Sequence, residues 1–228
     1  MNQKLKQLIN KMEYAIFDLD GTILDSMPIW VNLGETVLKS LGIIPDDDLN
    51  KRFKTMTLQQ SSEYLTRHFP LDITADELFQ IFMENVRIGY EKDAPLKPGV
   101  MEFLQDLKSK NIPMCVATAS DRSLTEAALK RTGALPYFQF VLTCAEIGKA
   151  KETPDIYIEA MHKMGGNTKN TVVFEDAYFS VLSAKSGGFP VVAVYDEETK
   201  KDQTAISELA DGYINSFQEL LNSQKNSS

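Results

Sequence analysis

The chain has 228 residues, room for one large domain or a core with an insert, and its 43% hydrophobic and 25% charged content is ordinary for a water-soluble globular protein. A net charge of −8 argues against general nucleic-acid binding and gives anionic substrates no long-range attraction, so any phosphate site must be locally positive. No apolar run approaches the roughly 18 residues needed to cross a bilayer, and two cysteines, Cys115 and Cys144, supply neither a disulfide framework nor a metal spacing; both sit in apolar runs and read as buried free thiols of a reducing cytosol.

In chain order, Leu5, Leu8, Ile9 and Met12 recur at helical spacing and predict a short amphipathic helix before the first strand, Tyr14–Asp18. Residues 25–97 then contain no convincing strand. Helices are expected over Met27–Leu41, Asp46–Lys54, Leu58–Phe69 and Thr74–Tyr90, separated by Gly42, Pro45 and Pro70. Beyond Pro98, helical patterns alternate with strands at Pro113–Ala117, Phe140–Thr143, Thr171–Phe174, Val191–Val194 and Tyr213–Ile214. The helix after Thr153–Pro154 is expected to take Thr153 as N-cap and to stop at Gly165–Gly166. Several strands are continuous apolar runs, which suits a parallel sheet covered on both faces. The expected class is therefore α/β: a Rossmann-like parallel sheet core with helices on both faces, formed by residues 1–24 and 98–228, with an all-helical cap inserted at 25–97.

In an open parallel sheet, ligands bind beyond the carboxyl ends of the strands. The first strand ends in Asp18-Leu19-Asp20-Gly21-Thr22, the second in Thr118-Ala119-Ser120, and the fourth in Glu175-Asp176; the loop after the third carries Lys149 and Lys151. Carboxylates gathered this closely raise one another's pKa unless a cation holds them. Hard oxygen donors suit Mg²⁺, with Asp18, Glu175 and Asp176 able to supply ligands. Asp18 could act as a nucleophile toward phosphorus and Asp20 as the acid/base. Thr118 and the main chain around Ala119–Ser120 could hold phosphoryl oxygens, and Lys151 could neutralise them while keeping Asp18 ionised.

Each feature alone has a plainer reading. Aspartates occupy turns and caps, and Asp25 is expected to do so at the first inserted helix. Thr118 and Ser120 can cap a helix, and Lys149 reads as solvated. His68 and His162 are expected at the surface, and Tyr178 and Phe179 as packing residues. "KRFK" reads as a solvated face, from which Arg52 or Lys54 could reach a substrate if the insert closes. Four such features in order at successive strand ends tip the balance toward a site.

With those residues placed, the chain resembles the haloacid dehalogenase-like hydrolase superfamily, in the branch with a helical cap after the first strand that includes β-phosphoglucomutase-like phosphatases. "FDLDGT" matches the first motif, "VATAS" the second at Thr118, "KETPD" the third at Lys151 with Glu152 replacing a usual proline, and "VFEDA" the fourth at Glu175–Asp176. The resemblance implies Asp18 as nucleophile, Asp20 as acid/base and a Mg²⁺ held by Asp18, Glu175, Asp176 and the main-chain carbonyl of Asp20. Two departures stand out: the fourth motif continues Ala177-Tyr178-Phe179-Ser180 where Ser-x-x-Gly is usual, and the cap stretch "FKTMTLQQ" lacks the usual glycine.

The expected function is Mg²⁺-dependent hydrolysis of small phosphate monoesters, of sugar or polyol type, by a cytoplasmic monomer or weak dimer with no nucleic-acid or membrane partner. The alternatives are a phosphosugar mutase and a non-catalytic binding protein that keeps the fold. The mutases of the family carry a histidine soon after the first motif, where this chain has Trp30 and no histidine before His68. A dehalogenase is disfavoured because those enzymes lack the second aspartate, and Asp20 is present.

Overall fold

Short runs of buried apolar residues build the sheet. A computed structural model describes residues 3–45, 49, 53 and 56–225. In it the strands are β1 (Tyr14–Phe17), β2 (Met114–Thr118), β3 (Val141–Thr143), β4 (Thr171–Glu175), β5 (Val191–Val194) and β6 (Gly212–Ile214). They form one six-stranded sheet in the order β3-β2-β1-β4-β5-β6, with every pairing parallel. β1 lies between β2 and β4, in register Ile16 with Cys115 and with Val173. Its carboxyl end therefore faces the ends of both neighbours.

Adjacent residues of a strand point to opposite faces, and β1 shows what each face packs. Phe17 stacks on Phe174 with centroids 4.6 Å apart and meets Phe103, Phe138 and Phe217 edge-on or tilted. Ile16 enters the opposite cluster, with Cys115, Ala117, Tyr157, Val173 and Val181. Within the unit that holds the sheet, helices pack on both faces. Among the described residues, the chain's helices in order are α1 (Gln3–Lys11), α2 (Met27–Val31), α3 (Leu33–Ser40), α4 (Leu58–His68), α5 (Ala75–Ile88), α6 (Val100–Ser109), α7 (Arg122–Arg131), α8 (Cys144–Ile147), α9 (Asp155–Met164), α10 (Tyr178–Ser186), α11 (Gln203–Leu209) and α12 (Gln218–Lys225). α6 supplies Phe103 to the aromatic face; α9 supplies Ile156, Tyr157, Ala160 and Met161 to the other.

The chain divides into two units, one of residues 1–25 and 95–228 and one of Ser26–Ala94. Within the second, α4 and α5 each begin with a reciprocal cap: Thr57 with Gln60, and Thr74 with Glu77. Trp30 Nε1 donates to Tyr90 Oη at 3.0 Å, and Phe53 meets Phe82 edge-on.

Several local expectations change. The helix expected over Met27–Leu41 is two helices, because Asn32 at φ −96°, ψ 3° breaks the run and its side-chain amide takes the Pro28 carbonyl at 2.9 Å. Asp25 does not cap α2; Ser26 stands at that position. α9 begins at Asp155 after Pro154, so Thr153 is not its N-cap. Cys115 is buried but Cys144, at the rim just past β3, is only partly so. Tyr178 and Phe179 are exposed by 40% and 51%, because α10 turns the small residues Ser180, Ser183 and Ala184 inward with Val181 and its bulkier side chains outward. The expected helix Asp46–Lys54 lies largely outside the described residues, as do Arg52 and Lys54.

Candidate active site

Asp18 is the first residue past β1, and its side chain lies in a buried cluster assembled from three strand ends. The Lys151 ammonium donates to Asp18 Oδ1 and, at 2.6 Å, to Glu175 Oε1. Lys151 is 4% exposed, Glu175 1% and Asp176 4%. Tyr157, on α9, donates its hydroxyl to the same Glu175 oxygen at 2.7 Å, and the Asp176 N–H donates to Glu175 Oε2 at 3.2 Å. Glu175 thus engages both oxygens with the protein and fixes Lys151 against Asp18.

The turn after β1 carries the second aspartate. Asp20 Oδ2 accepts the Ser120 hydroxyl at 2.5 Å, and the Ser120 N–H donates to Thr118 Oγ1 at 3.0 Å. The end of β2 is thereby tied to the acid/base candidate. Thr118 is fully buried, Ser120 and Asp20 are half-buried, and Ala119 is exposed. The Thr22 hydroxyl donates to Asp176 Oδ1 at 3.2 Å. Gly21 has φ +77°, and a Cβ there would lie 2.5 Å from Asp176 Oδ2. Both its conformation and its contact with the carboxylate require glycine.

The electrostatics of the bare cluster are unfavourable. Burial, then the Glu175 charge, push the Asp18 carboxyl up to about 7, against the pull of Lys151. Burial and the charges of Asp18 and Glu175 likewise raise Asp176 well above the usual carboxylate range. Burial opposes the charge on Lys151, but Asp18 and Glu175 outweigh it and hold the ammonium protonated. Asp18, Glu175 and Asp176 each offer an oxygen within 4.8 Å of the others. Three buried hard donors against one ammonium fit a divalent cation, and the excess negative charge is the observation that calls for one.

The structure therefore brings Asp18, Lys151, Glu175 and Asp176 into one cluster, while Ser120 ties Asp20, two residues from Asp18, to Thr118 at the end of β2. Lys149 lies apart, exposed and paired with Asp155 at 2.5 Å. His68 and His162 are exposed. Three participants were not singled out by sequence. Tyr157 carried a signal, since a tyrosine on the apolar face of α9 needs a partner for its hydroxyl. Thr22 lies within the "DGT" turn, and Lys97, whose ammonium donates to the Gly21 carbonyl of that turn, gave no sequence signal.

Comparison with known proteins agrees with this geometry. A haloacid dehalogenase-like hydrolase family model matches residues 15–194. A phosphoglycolate phosphatase of Caulobacter vibrioides is 30% identical over 80% of this chain and 80% of its own. A phosphorylated carbohydrates phosphatase of Thermotoga maritima is 26% identical over 78% of this chain and 82% of its own. The crystal structure of a putative β-phosphoglucomutase from Thermotoga maritima superposes with a TM-score of 0.84 at 25% identity, covering 95% of this chain and all of that one. With a matched region that spans all four strand-end motifs, this chain belongs to the haloacid dehalogenase-like hydrolases.

Proposed function

We propose that the protein is a Mg²⁺-dependent phosphatase that hydrolyses small phosphate monoesters, of the sugar or polyol class, through an aspartyl-phosphate on Asp18. The observation that carries this reading is the pairing of Asp18 with Lys151 at the end of β1, with Asp20 two residues on and Glu175–Asp176 across the strand end. The named activities of the relatives support small phosphate monoesters as substrates, and that of the phosphorylated carbohydrates phosphatase supports the sugar class.

Lys151 aims Asp18 and offsets part of the cost of ionising it. An Asp18 oxygen attacks phosphorus, the bond from phosphorus to the ester oxygen breaks with its electron pair going to that oxygen, and Asp20 protonates the departing alcohol. Asp20, now ionised, takes a proton from water, whose oxygen attacks the same phosphorus. Asp18 leaves and inorganic phosphate is formed. Ser120, bonded to Asp20, orients the acid/base. The Thr118 hydroxyl, whose oxygen is held by the Ser120 N–H, and the main chain around Ala119–Ser120 are the candidate donors to phosphoryl oxygens. Asp18, Glu175, Asp176 and the main-chain carbonyl of Asp20 would hold the Mg²⁺, which supplies positive charge to the phosphoryl group. We take residues 26–94 as a cap that limits competing water, with Arg52 and Lys54 as its candidate substrate contacts.

A panel of metabolite phosphates assayed with Mg²⁺, following both free phosphate and substrate isomers, tests the reading. Phosphate release from one class of sugar or polyol phosphate is expected. Isomer formation without net phosphate release would make the protein a mutase, and no turnover of any ester would make it a binding protein.

A further inference from the structure

Lys97 is a nearly buried cation outside the four motifs, with its side chain 10% exposed. It follows the point at which the chain returns to the core unit at Pro95. Its ammonium donates to the Gly21 carbonyl, to the Tyr195 carbonyl at 2.7 Å and to Asp196 Oδ2 at 2.7 Å, so all three of its protons are used. Asp196 is 4% exposed, and its other oxygen accepts the Glu198 N–H at 3.0 Å. The main chain repeats the connection. The Lys97 N–H donates to the Ile23 carbonyl at 3.0 Å, the Asp25 N–H to the Pro95 carbonyl at 2.9 Å, and Leu24 bridges Leu96.

Lys97 therefore fastens together the turn after Asp18, the returning segment and the loop after β5. The turn it grips is the one whose Gly21 backbone lies against the Asp176 carboxylate and whose Thr22 hydroxyl bonds it. Asp20 is the neighbour of Gly21. A cation fixed to that carbonyl thus constrains the acid/base from one side and a metal-ligand candidate from the other.

We propose that Lys97 is a positioning residue for phosphoryl transfer: its ammonium clamps the Gly21 turn to Asp196 and so holds Asp20 and Asp176 in the arrangement that receives the divalent ion and the leaving group. This rests on the phosphatase reading above. A staple that served the fold alone would lower stability when cut and leave the metal and the chemistry untouched.

The test uses the full chain with Lys97→Ala, Lys97→Met and Asp196→Asn. Each is measured by calorimetric titration with Mg²⁺ alone and by kcat and KM for p-nitrophenyl phosphate. Because supporting partners of ligands typically contribute 10–100-fold, Lys97→Ala and Lys97→Met are expected to weaken Mg²⁺ about 10-fold and lower kcat by about 10–100-fold, with KM little changed. Methylammonium should restore part of both in Lys97→Ala, which leaves room for it, and not in Lys97→Met, which fills that room. Asp196→Asn, which keeps the shape and the lysine, should fall between and carries the same readings should either Lys97 variant fail to fold. Unchanged Mg²⁺ affinity and kcat in folded variants that merely melt earlier would overturn the proposal. If the wild type hydrolyses no ester, the phosphatase reading fails, while the Mg²⁺ titration still decides whether Lys97 shapes the ion's site.

Discussion

Asp18 carries opposing demands. It must be ionised to attack phosphorus, yet burial and Glu175 push its carboxyl up to about 7 in the bare protein. Lys151 offsets part of that cost by direct contact. Replacing Asp18 by Asn should remove turnover by about 10⁴-fold or more, as loss of a nucleophile does elsewhere. The same change relieves a buried like-charge contact, so the variant should melt above the wild type when both are held in a chelator; a lower melting point would show that the Lys151 attraction outweighs the burial and repulsion. Lys151→Met has the opposite effect. It leaves Asp18 and Glu175 buried without their cation, and breaking such a pair costs about 3 kcal/mol. Denaturant unfolding of the metal-free variant measures this, and equal stability would contradict the buried ion cluster.

At the scale of elements, Asp211 ties three of them together. Its Oδ2 accepts Lys185 Nζ of α10 at 2.5 Å and the Val191 N–H at the start of β5 at 3.0 Å, and Oδ1 pairs with Lys4 of α1 at 3.4 Å. Burial opposes its ionisation, but the bonds from Lys185 and Val191 outweigh it and hold the carboxyl below its ordinary value. A carboxyl lowered on folding contributes stability above the ordinary carboxylate range and loses it as pH falls through the folded value. Asp211→Asn should therefore cost about 1 kcal/mol at pH 7, with the gap to wild type closing below about pH 4. A gap that persists into acid would assign the loss to packing. Helix existence was legible from apolar spacing, but the division at Asn32 was not: the spacing of Met27–Leu41 reads continuously, and the break depends on a side-chain amide taking a backbone carbonyl. The outward face of α10 was hidden for a related reason, since Tyr178 and Phe179 are apolar by type and only the small residues opposite them show which side packs.

For the whole molecule, the parallel sheet was readable because Ala15–Phe17, Cys115–Ala117 and Val172–Phe174 are continuous apolar runs, buried on both faces. The order of the strands places the end of β1 between β2 and β4, which is why "DLD", "TAS" and "ED" meet although they are far apart in sequence. Lys97 and Asp196 were not readable, because a lysine beside a proline and an aspartate after a strand are ordinary surface residues until the chain's return brings them together. The sum of these parts is a fold that carries an excess of buried negative charge at one rim. A cation that binds only the folded state stabilises it by mass action, about 2.7 kcal/mol at 100 times its Kd. Mg²⁺ should raise the melting temperature reversibly with chelator, and Asp176→Asn should abolish most of that gain; an equal gain in the variant would place the ion elsewhere.

The most direct measurement is acid quench of the Asp20→Asn variant with p-nitrophenyl phosphate and Mg²⁺, followed by peptide mass spectrometry. That leaving group needs no proton from Asp20, whereas attack of water on the intermediate needs Asp20 as base, so phosphoryl enzyme should accumulate. A hydroxylamine-sensitive phosphoryl group on Asp18 is the expected result. Wild-type turnover with the variant's phosphoryl group on another residue, or with none on the protein, would contradict the account.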